Sequence, residues 1–278
     1  MRANKPATYY SAGIYPMTSP VRALLDNELT SLSQSVLSLS SMVDAAIGQS
    51  VTALMSNDIA LAEQVIAGDA DINRLRFQIE EKAYVILSTQ QPLARDLRTV
   101  IAAIHFAIEL ERIGDHAAGI ARIVTRMEEM PRPVLIETTP EVDEPDENNE
   151  EPEPAITEEA EAAPDEAPHP LRLKLSRLPK MTKRARDMLR RATEAYIERD
   201  IEKANAIVKR DRKLDRHYRK FFAEAMAEMT SRGVAEMPTY LLWIAHNLER
   251  IGDRTTNLAE RVVFMVTGQY TEVLEDYE

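Results

Sequence analysis

The hexapeptide LERIGD occurs twice in this chain, and each copy places a Glu and an Asp four residues apart, Glu111 with Asp115 and Glu249 with Asp253. Side chains at positions i and i+4 of a helix are neighbours, and two like charges there repel each other by roughly a few tenths of a kcal/mol. A cation bound between the carboxylates would remove that cost. Carboxylates bind calcium, magnesium and manganese, and also iron and zinc. Each pair is therefore a candidate metal site.

A further pair of acids, Asp211 and Asp215, precedes the second hexapeptide with the same spacing. The matching positions in the first half hold Asp69 and Asn73. If these residues lie on the helix next to the hexapeptide, each half presents two pairs of oxygen ligands on one surface. Oxygen ligands alone do not determine which of iron, zinc, manganese, magnesium or calcium would be bound. His246, three residues before the second hexapeptide Glu, could add an imidazole.

The alternative interpretation of these acids is a solvated face with arginine neighbours. Arg112 and Arg250 directly follow the two hexapeptide glutamates. An offset of one residue directs a helical side chain away from its neighbour, so we expect both arginines to be imperfect partners of the acids. The duplicated hexapeptide, with a second polar pair in each half, favours the metal interpretation.

The two hexapeptides belong to a tandem repeat. IHFAIELERIGDHAAGIARIV aligns with WIAHNLERIGDRTTNLAERVV, and GDADINRLRFQIEE resembles KRDRKLDRHYRKFF. Each half offers three helix-forming stretches, so we predict an all-α fold of two tandem three-helix bundles. Pro92 and Pro238 suit helix starts, Gly233 and Gly268 suit helix ends, and Gly68 suggests a break. The predicted helices cover about 21–55, 58–89, 93–130, 180–199, 201–231 and 239–267.

The third helix of each half carries one apolar stripe, and the hexapeptide acids fall on the opposite side, at the surface or in a groove. The upstream part of each third helix is apolar on the acid side too, which predicts that these two helices are central. Gly114 and Gly252 lie mid-helix, where glycine costs roughly 1 kcal/mol against alanine, so we expect a close helix contact at each. The stripes consist of Phe106, Leu110, Ile113, Ala117, Ile120 and Val124, and of Ile244, Leu248, Ile251, Leu258, Val262 and Met265.

The formal charge of -12 is concentrated in one segment. Residues 131–170 hold 14 acidic side chains against one Arg, and 9 of the 15 prolines, so we expect a disordered linker. The next 21 residues hold nine Lys or Arg against one acid. This basic stretch is either a solvated helix or a surface for an anionic partner or a membrane, which the linker could cover by competition. The predicted organisation is a disordered tail at 1–20 and repeats at 21–130 and 171–278, separated by the linker.

The composition excludes several classes of function. The chain has no cysteine, which excludes disulfides, thiolate metal sites and cysteine nucleophiles. It has no glycine-rich phosphate loop, so we expect no nucleotide binding. No apolar run approaches the length of a membrane span or a signal peptide, and we expect a cytoplasmic protein.

These motifs resemble the PhoU family, the regulatory accessory proteins of the phosphate-specific ABC transporter. QQPLARDLR resembles the family's run ahead of the third helix, and ERIGDRTTNLAERVVFMVTG is a strong match near the C-terminus. The resemblance covers about 21–268 without the linker. It implies a non-enzymatic negative regulator of phosphate uptake and of the phosphate-starvation response, acting through the transporter's ATPase and a sensor histidine kinase. It also implies a surface multinuclear iron or zinc cluster and a homodimer that reaches the membrane only through its partners.

The resemblance implies metal ligands in both halves, but the first half departs from the pattern. Asn73 replaces the acid that would complete the first set, and Arg122 lies where the second half has Glu260. We therefore expect the first site to bind metal more weakly or not at all. The long linker is a further departure, since the family usually has a short connection. The implied ligands are Asp69, Glu111 and Asp115 in the first half and Asp211, Asp215, Glu249 and Asp253 in the second.

Three other functions are alternatives. A carboxylate-bridged di-iron enzyme would use inward-facing Glu-x-x-His motifs, but the motif from Glu166 to His169 lies in the linker, which weighs against an enzyme. A metal-free helical scaffold is favoured by Asn73. Nucleic-acid binding would rest on the basic stretch alone, and we expect none.

Overall fold

Six α-helices make up nearly all of the computed structural model, which describes residues 20–128, 130, 173, 175–232 and 235–269. No strand occurs in these residues, so the predicted all-α fold is confirmed. The predicted linker and nearly all of the predicted N-terminal tail lie outside the described residues. The helices are α1 Pro20–Ser56, α2 Ile59–Gln90, α3 Arg95–Arg126, α4 Arg177–Glu198, α5 Ile201–Arg232 and α6 Glu236–Thr267.

The predicted break at Gly68 is wrong, because α2 continues through this residue. Val65 and Ile72 are buried on either side of it. A glycine inside a helix costs only roughly 1 kcal/mol, and the packing of these flanking residues offsets that cost. The C-terminal signal at Gly268 is confirmed: its φ is 77°, and its N–H donates to the carbonyl oxygen of Phe264 at 2.8 Å.

Three helix starts differ from the prediction by two or three residues. α3 begins at Arg95, so Pro92 lies in the connection, where Gln91 and Ala94 adopt positive φ. α4 and α6 each begin three residues earlier than predicted, which places Pro238 in the first turn of α6. Helix ends fray and are signalled by few residues, so shifts of this size are ordinary. Gly233 lies outside the described residues.

α3 and α6 are the central helices, as the apolar character of both their faces predicts. α3 packs against α1, α2 and α6, and α6 packs against α3, α4 and α5. All twelve residues of the two predicted stripes are buried. Each bundle therefore keeps its apolar stripe in the core and leaves the acid-bearing side of its third helix facing the second helix.

The two bundles contact each other through α3 with α6 and through α1 with α4. The rings of Phe106 and Tyr196, one from each bundle, have centroids 4.4 Å apart in the core. Nη1 of Arg254 lies 3.1 Å from Oε2 of Glu109, and Nδ1 of His116 lies 2.9 Å from Oδ1 of Asn247. Apolar and polar contacts together fix the two repeats side by side.

Candidate functional site

The acids of the second half meet in the groove between α5 and α6. One ligand oxygen each from Asp211, Asp215 and Asp253 can be chosen so that all three lie within 4.8 Å of one another. Oxygen ligands of a divalent cation lie roughly 2.0–2.6 Å from the ion, so two of them can be up to about 5 Å apart. The three carboxylates therefore match the spacing of ligands around a single ion.

Gly252 explains how α5 comes close enough to α6 to bring these acids together. A Cβ atom at this position would lie 2.5 Å from Cδ2 of Leu214 and 2.7 Å from Oδ1 of Asp211. Contacts this short are sterically forbidden unless a neighbour moves. The glycine of the second hexapeptide thus allows the helix contact that carries Asp211 to the side of Asp253, as predicted from its mid-helix position.

Glu249 is the fourth acid of the groove and is held partly out of water. Burial raises its pKa to about 7, with further contributions from the charges of Asp253 and Asp215. Its buried Oε2 lies 3.3 Å from Nδ1 of His246, the residue predicted as a possible imidazole ligand. A buried carboxyl whose ionisation is disfavoured by neighbouring carboxylates lies in an electrostatic environment that favours a bound cation.

Arg250 is a better partner than its sequence position suggested. Its Nη1 donates a hydrogen bond to Oδ2 of Asp253 at 2.5 Å, so the expectation of an imperfect partner is wrong in the second half. Arg250 and Asp253 are spaced i,i+3, which places their side chains on the same face of the helix. The sequence prediction had considered Arg250 only as a partner of Glu249. In the first half, Nε of Arg112 lies 3.7 Å from Oε2 of Glu111, a long distance for an ion pair. Arg112 is therefore the imperfect partner that was expected.

The acids of the first half also lie in a groove, between α2 and α3. Burial raises the pKa of Asp69 and of Glu111, and the charge of Asp115 adds to both shifts, so the three side chains are within electrostatic reach of one another. Gly114 is again a close contact, because a Cβ there would lie 3.2 Å from two carbon atoms of Ile72. The two repeats therefore resemble each other in the groove between their second and third helices as well as in sequence.

The first groove differs from the second in its charge. Nη2 of Arg122 lies 3.6 Å from Oδ2 of Asp69, so the protein supplies its own cation there. Nδ2 of Asn73 is turned to the main-chain oxygen of Asp69, at 3.4 Å. Among the described residues, a trio of acidic side chains with metal-ligand spacing occurs only in the second bundle. The second donor set has the ligand spacing that a divalent cation requires, whereas the described acids of the first groove form no such trio.

An apolar surface adjoins the acids of the second bundle, and the sequence reading missed it. We define the α5–α6 apolar patch as Tyr218, Phe222, Met226, Trp243 and His246. The Tyr218 ring lies 5.9 Å from the ring of His246 and 6.3 Å from that of Phe222, measured between centroids. Phe222, Met226 and Trp243 are each more than 40% exposed. On α5, Tyr218, Phe222 and Met226 follow one another at i,i+4 spacing, on a different face from the buried Phe221 and Ala225. This spacing is the signal that could have revealed the second stripe.

The fold and the groove together define an all-α class of protein, with two tandem three-helix repeats and a carboxylate cluster between the last two helices. The family model of the PhoU domain matches residues 36–124 and 178–262, one match in each repeat. This chain belongs to the PhoU family. The resemblance drawn from the hexapeptides is therefore confirmed.

Relatives and a solved structure agree with this assignment over most of their length. The chain is 30% identical to the phosphate-specific transport system accessory protein PhoU homolog of Rhizobium meliloti, over 89% of each chain. It is 30% identical to the phosphate-specific transport system accessory protein PhoU of Escherichia coli, over 87% of this chain and 85% of that protein. The crystal structure of the phosphate transport system regulatory protein PhoU from Streptococcus pneumoniae superposes with a TM-score of 0.69 at 27% identity, covering 89% of this chain and 99% of that one.

The expectations about membrane-spanning helices and about the Glu-x-x-His motif can be compared only with the described residues. Within the described ranges, no helix combines the length and the apolar character needed to cross a bilayer. Glu166 and His169, the residues of the Glu-x-x-His motif, lie outside those ranges.

Proposed function

We propose that this chain regulates phosphate uptake as an accessory protein of a phosphate-specific ABC transporter. The relatives named above are accessory or regulatory proteins of phosphate transport systems, and the chain covers nearly their whole length. The proposal is that it acts in the cytoplasm without enzymatic activity of its own, as a negative regulator. It contacts the transporter's ATPase and a sensor histidine kinase, and it forms a homodimer.

The observation that carries the mechanism is the carboxylate trio of Asp211, Asp215 and Asp253 beside the α5–α6 apolar patch. In this proposal, the trio and Glu249 hold one or more divalent cations, with iron or zinc as the first candidates. A bound cation would supply positive charge that relieves the repulsion among the four acids. The chain's own residues then bind the partner. The exposed aromatic side chains of the patch become buried in the interface, and the charge of the groove determines the affinity.

The docking claim is tested by measuring the affinity of the purified chain for the purified transporter ATPase. Phe222→Ala with Trp243→Ala should weaken binding by about tenfold or more, since exposed aromatic residues are frequent hot spots of interfaces. Phe77→Ala is the control, because Phe77 is an aromatic residue of similar exposure on α2, in the other bundle. Failure of the unmodified chain to bind the ATPase would contradict the adaptor mechanism.

A metal-free helical scaffold is the second candidate, and specific contacts favour it. Arg122 already neutralises Asp69 in the first groove, and Arg250 already binds Asp253 in the second. Elemental analysis of protein purified without an affinity tag or chelator separates the two candidates. Iron or zinc that is lost in the variant Glu249→Ala with Asp253→Ala supports the metal-dependent mechanism. Metal at background level in both samples supports the scaffold, with the carboxylates acting as a docking charge.

A further inference from the structure

Arginine side chains from both bundles meet where α3 begins and α4 ends. Arg95 is the first residue of α3, Arg98 lies one turn later, and Arg199 follows the last residue of α4. Nη2 of Arg199 donates to Oγ1 of Thr99 at 2.9 Å, and that hydroxyl donates to the main-chain oxygen of Arg95 at 2.9 Å. The guanidinium of Arg199 therefore lies against the start of α3, on the face that carries Arg95.

Arg98 extends this group of arginines toward α6. Its Nε donates to the main-chain oxygen of Met265 at 3.2 Å, and a Cβ atom at Gly268 would lie 3.3 Å from its Nη1. Residues three apart are neighbours on a helix, so Arg98 adjoins Arg95 on the surface of α3. We define the α3–α4 arginine site as Arg95, Arg98 and Arg199.

The α3–α4 arginine site has no acidic partner of its own. In the described part of the chain, no carboxylate lies within ion-pair distance of any of its three guanidinium groups. Asp96, the acid between Arg95 and Arg98 in sequence, accepts from Nη1 of Arg22 at 2.5 Å. The only hydrogen-bond acceptors that the site uses are neutral oxygens, those of Thr99 and Met265, so its positive charge is not neutralised.

The guanidinium of Arg199 also has an unsatisfied donor. Its Nη1 is buried and has no hydrogen-bond partner among the described residues. Burial lowers the pKa of Arg199, the charge of Arg95 lowers it further, and the opposing charge of Asp96 does not restore it. A guanidinium keeps its proton at neutral pH, so the cost of the buried donor and of the like charges remains in the protein. An anion that accepts from this Nη1 would relieve both.

The start of α3 adds to the attraction for an anion. Its N-cap residue is Ala94, which supplies no side-chain acceptor for the first N–H groups of the helix. The partial positive charge of a helix N-terminus extends over about the first turn, where Arg95 and Arg98 lie. The helix start therefore reinforces the field of the three guanidinium groups.

We propose that the α3–α4 arginine site binds a phosphate dianion, held by Arg95 and Arg199 and flanked by Arg98. Guanidinium groups match the oxygens of phosphate with pairs of N–H donors, and their combined charge favours a dianion over a carboxylate. A small ion can also reach the buried Nη1 of Arg199. The inference deepens the proposed function, on which it rests for the identity of the dianion, because the site would be where the phosphate level acts on the regulator.

A bound ion at this site would join the two bundles. Arg95 and Arg98 belong to the first bundle and Arg199 to the second, and without an anion their like charges repel each other across the contact. A ligand that binds only this arrangement stabilises it in proportion to the logarithm of the ligand concentration. Phosphate would thereby fix the position of α4 relative to α3.

The test measures the affinity of the full-length chain for inorganic phosphate by titration calorimetry, with chelator present so that no metal mediates binding. Arg95→Gln with Arg199→Gln should weaken binding by about tenfold or more, because it removes two charged donors. Arg74→Gln with Arg190→Gln is the control: it removes the same charge at exposed arginines that pair with acids elsewhere, and should change the affinity by less than about twofold. Absence of binding to the unmodified chain, or equal losses in the two variants, would overturn the proposal.

Two single variants separate contact with the ion from charge and from folding. Arg199→Lys keeps the charge but not the planar pair of donors, so it should weaken binding by about threefold or more. Arg95→Gln alone changes an exposed side chain, which leaves the fold intact even if the double variant does not fold, and it should weaken binding as well. Circular dichroism checks the fold of each protein. Unchanged affinity in both single variants would contradict a direct contact.

Competition and a second pair of variants identify the ligand class and the place. Acetate at equal ionic strength should displace phosphate at least about tenfold less well than phosphate itself, because it carries one charge. Equal competition by acetate would overturn the assignment to a dianion. A loss of phosphate affinity in Asp211→Asn with Asp253→Asn as large as that in the arginine variant would place the ion in the acidic groove and overturn the proposal. Phosphate binding at the arginines in a chain whose deletion leaves phosphate uptake unchanged would contradict the proposed function alone.

Discussion

At the residue scale, Gly252 controls the contact on which the candidate metal site depends. Replacing it with alanine should lower the free energy of unfolding by about 1–3 kcal/mol, because the new methyl group would overlap with the buried Leu214 and with Asp211. Urea denaturation measures the change. The same substitution should also lower the affinity for metal, since Asp211 must move.

Two other glycines serve as matched controls for this prediction. A Cβ at Gly114 meets Ile72 at 3.2 Å, so Gly114→Ala should be less costly than Gly252→Ala. A Cβ at Gly68 meets no atom within 4 Å, and Gly68→Ala should therefore stabilise the protein by about 0.5–1 kcal/mol through helix propensity. Equal effects at Gly68 and Gly252 would contradict the steric explanation.

Glu249 makes the stability of the metal-free protein depend on pH. Its pKa is raised to about 7 in the folded state, so the neutral carboxyl favours folding at low pH, and this contribution is lost as the pH rises through about 7. Relative to Glu249→Gln, the unmodified chain should lose about 1–2 kcal/mol of unfolding free energy between about pH 5 and pH 8, after allowance for solvent screening. Urea denaturation with chelator present checks this difference.

Asp253→Asn is the control for the electrostatic cause. Asp253 is the charge that contributes most, after burial, to the raised pKa of Glu249. Removing it should reduce the pH dependence, although the Arg250 hydrogen bond to Asp253 is altered at the same time. A difference between unmodified and Glu249→Gln protein that does not vary with pH would refute the prediction.

At the scale of elements, the two grooves differ at two positions that can be exchanged. Asn73→Asp with Arg122→Glu gives α2 and α3 the acids that the second repeat holds as Asp215 and Glu260. This double variant should bind more metal per chain than the unmodified protein, because it gains two carboxylates and loses the guanidinium beside Asp69.

Elemental analysis after dialysis against a common metal buffer measures that change. Arg122→Gln alone is the control, since it removes the competing cation without adding a ligand, and it should give a smaller increase. An unchanged metal content in the double variant would show that the composition of the first groove is not what limits binding there.

Helices and their buried faces were predictable from the sequence because both depend on local periodicity. The two apolar stripes and the central position of α3 and α6 follow from residue spacing. The close contacts at Gly114 and Gly252 follow from the cost of a glycine inside a helix. The break at Gly68 was mispredicted because propensity is a weak local effect that packing overrides. The pairing of Arg250 with Asp253 was missed because side-chain rotamers, and not only spacing, decide which of several neighbours an arginine contacts.

At the scale of the whole molecule, Glu109 links the two bundles. Its Oε2 accepts from Arg254 at 3.1 Å and from Asn257 at 3.3 Å, both on α6. Glu109→Ala should lower the free energy of unfolding by about 1–3 kcal/mol, because it leaves a largely buried guanidinium without this carboxylate. Glu63→Ala, at an exposed position of α2, should change it by less than about 0.5 kcal/mol. Equal losses in the two variants would argue against a structural role for the link.

The contacts between bundles could not be predicted from the sequence. Periodicity shows which face of a helix is buried but not which helix covers it, so the pairing of Glu109 with Arg254 and of Phe106 with Tyr196 was not foreseen.

The central claim is that this chain restrains phosphate uptake through the acidic groove of its second bundle. The most direct test is the phosphate uptake rate of its host, grown with abundant phosphate, after deletion of the gene and after return of unmodified protein or of Asp211→Asn with Asp253→Asn. We predict fast uptake in the deletion strain, slow uptake with the unmodified protein, and fast uptake with the variant at equal protein level. An uptake rate that deletion leaves unchanged would contradict the claim.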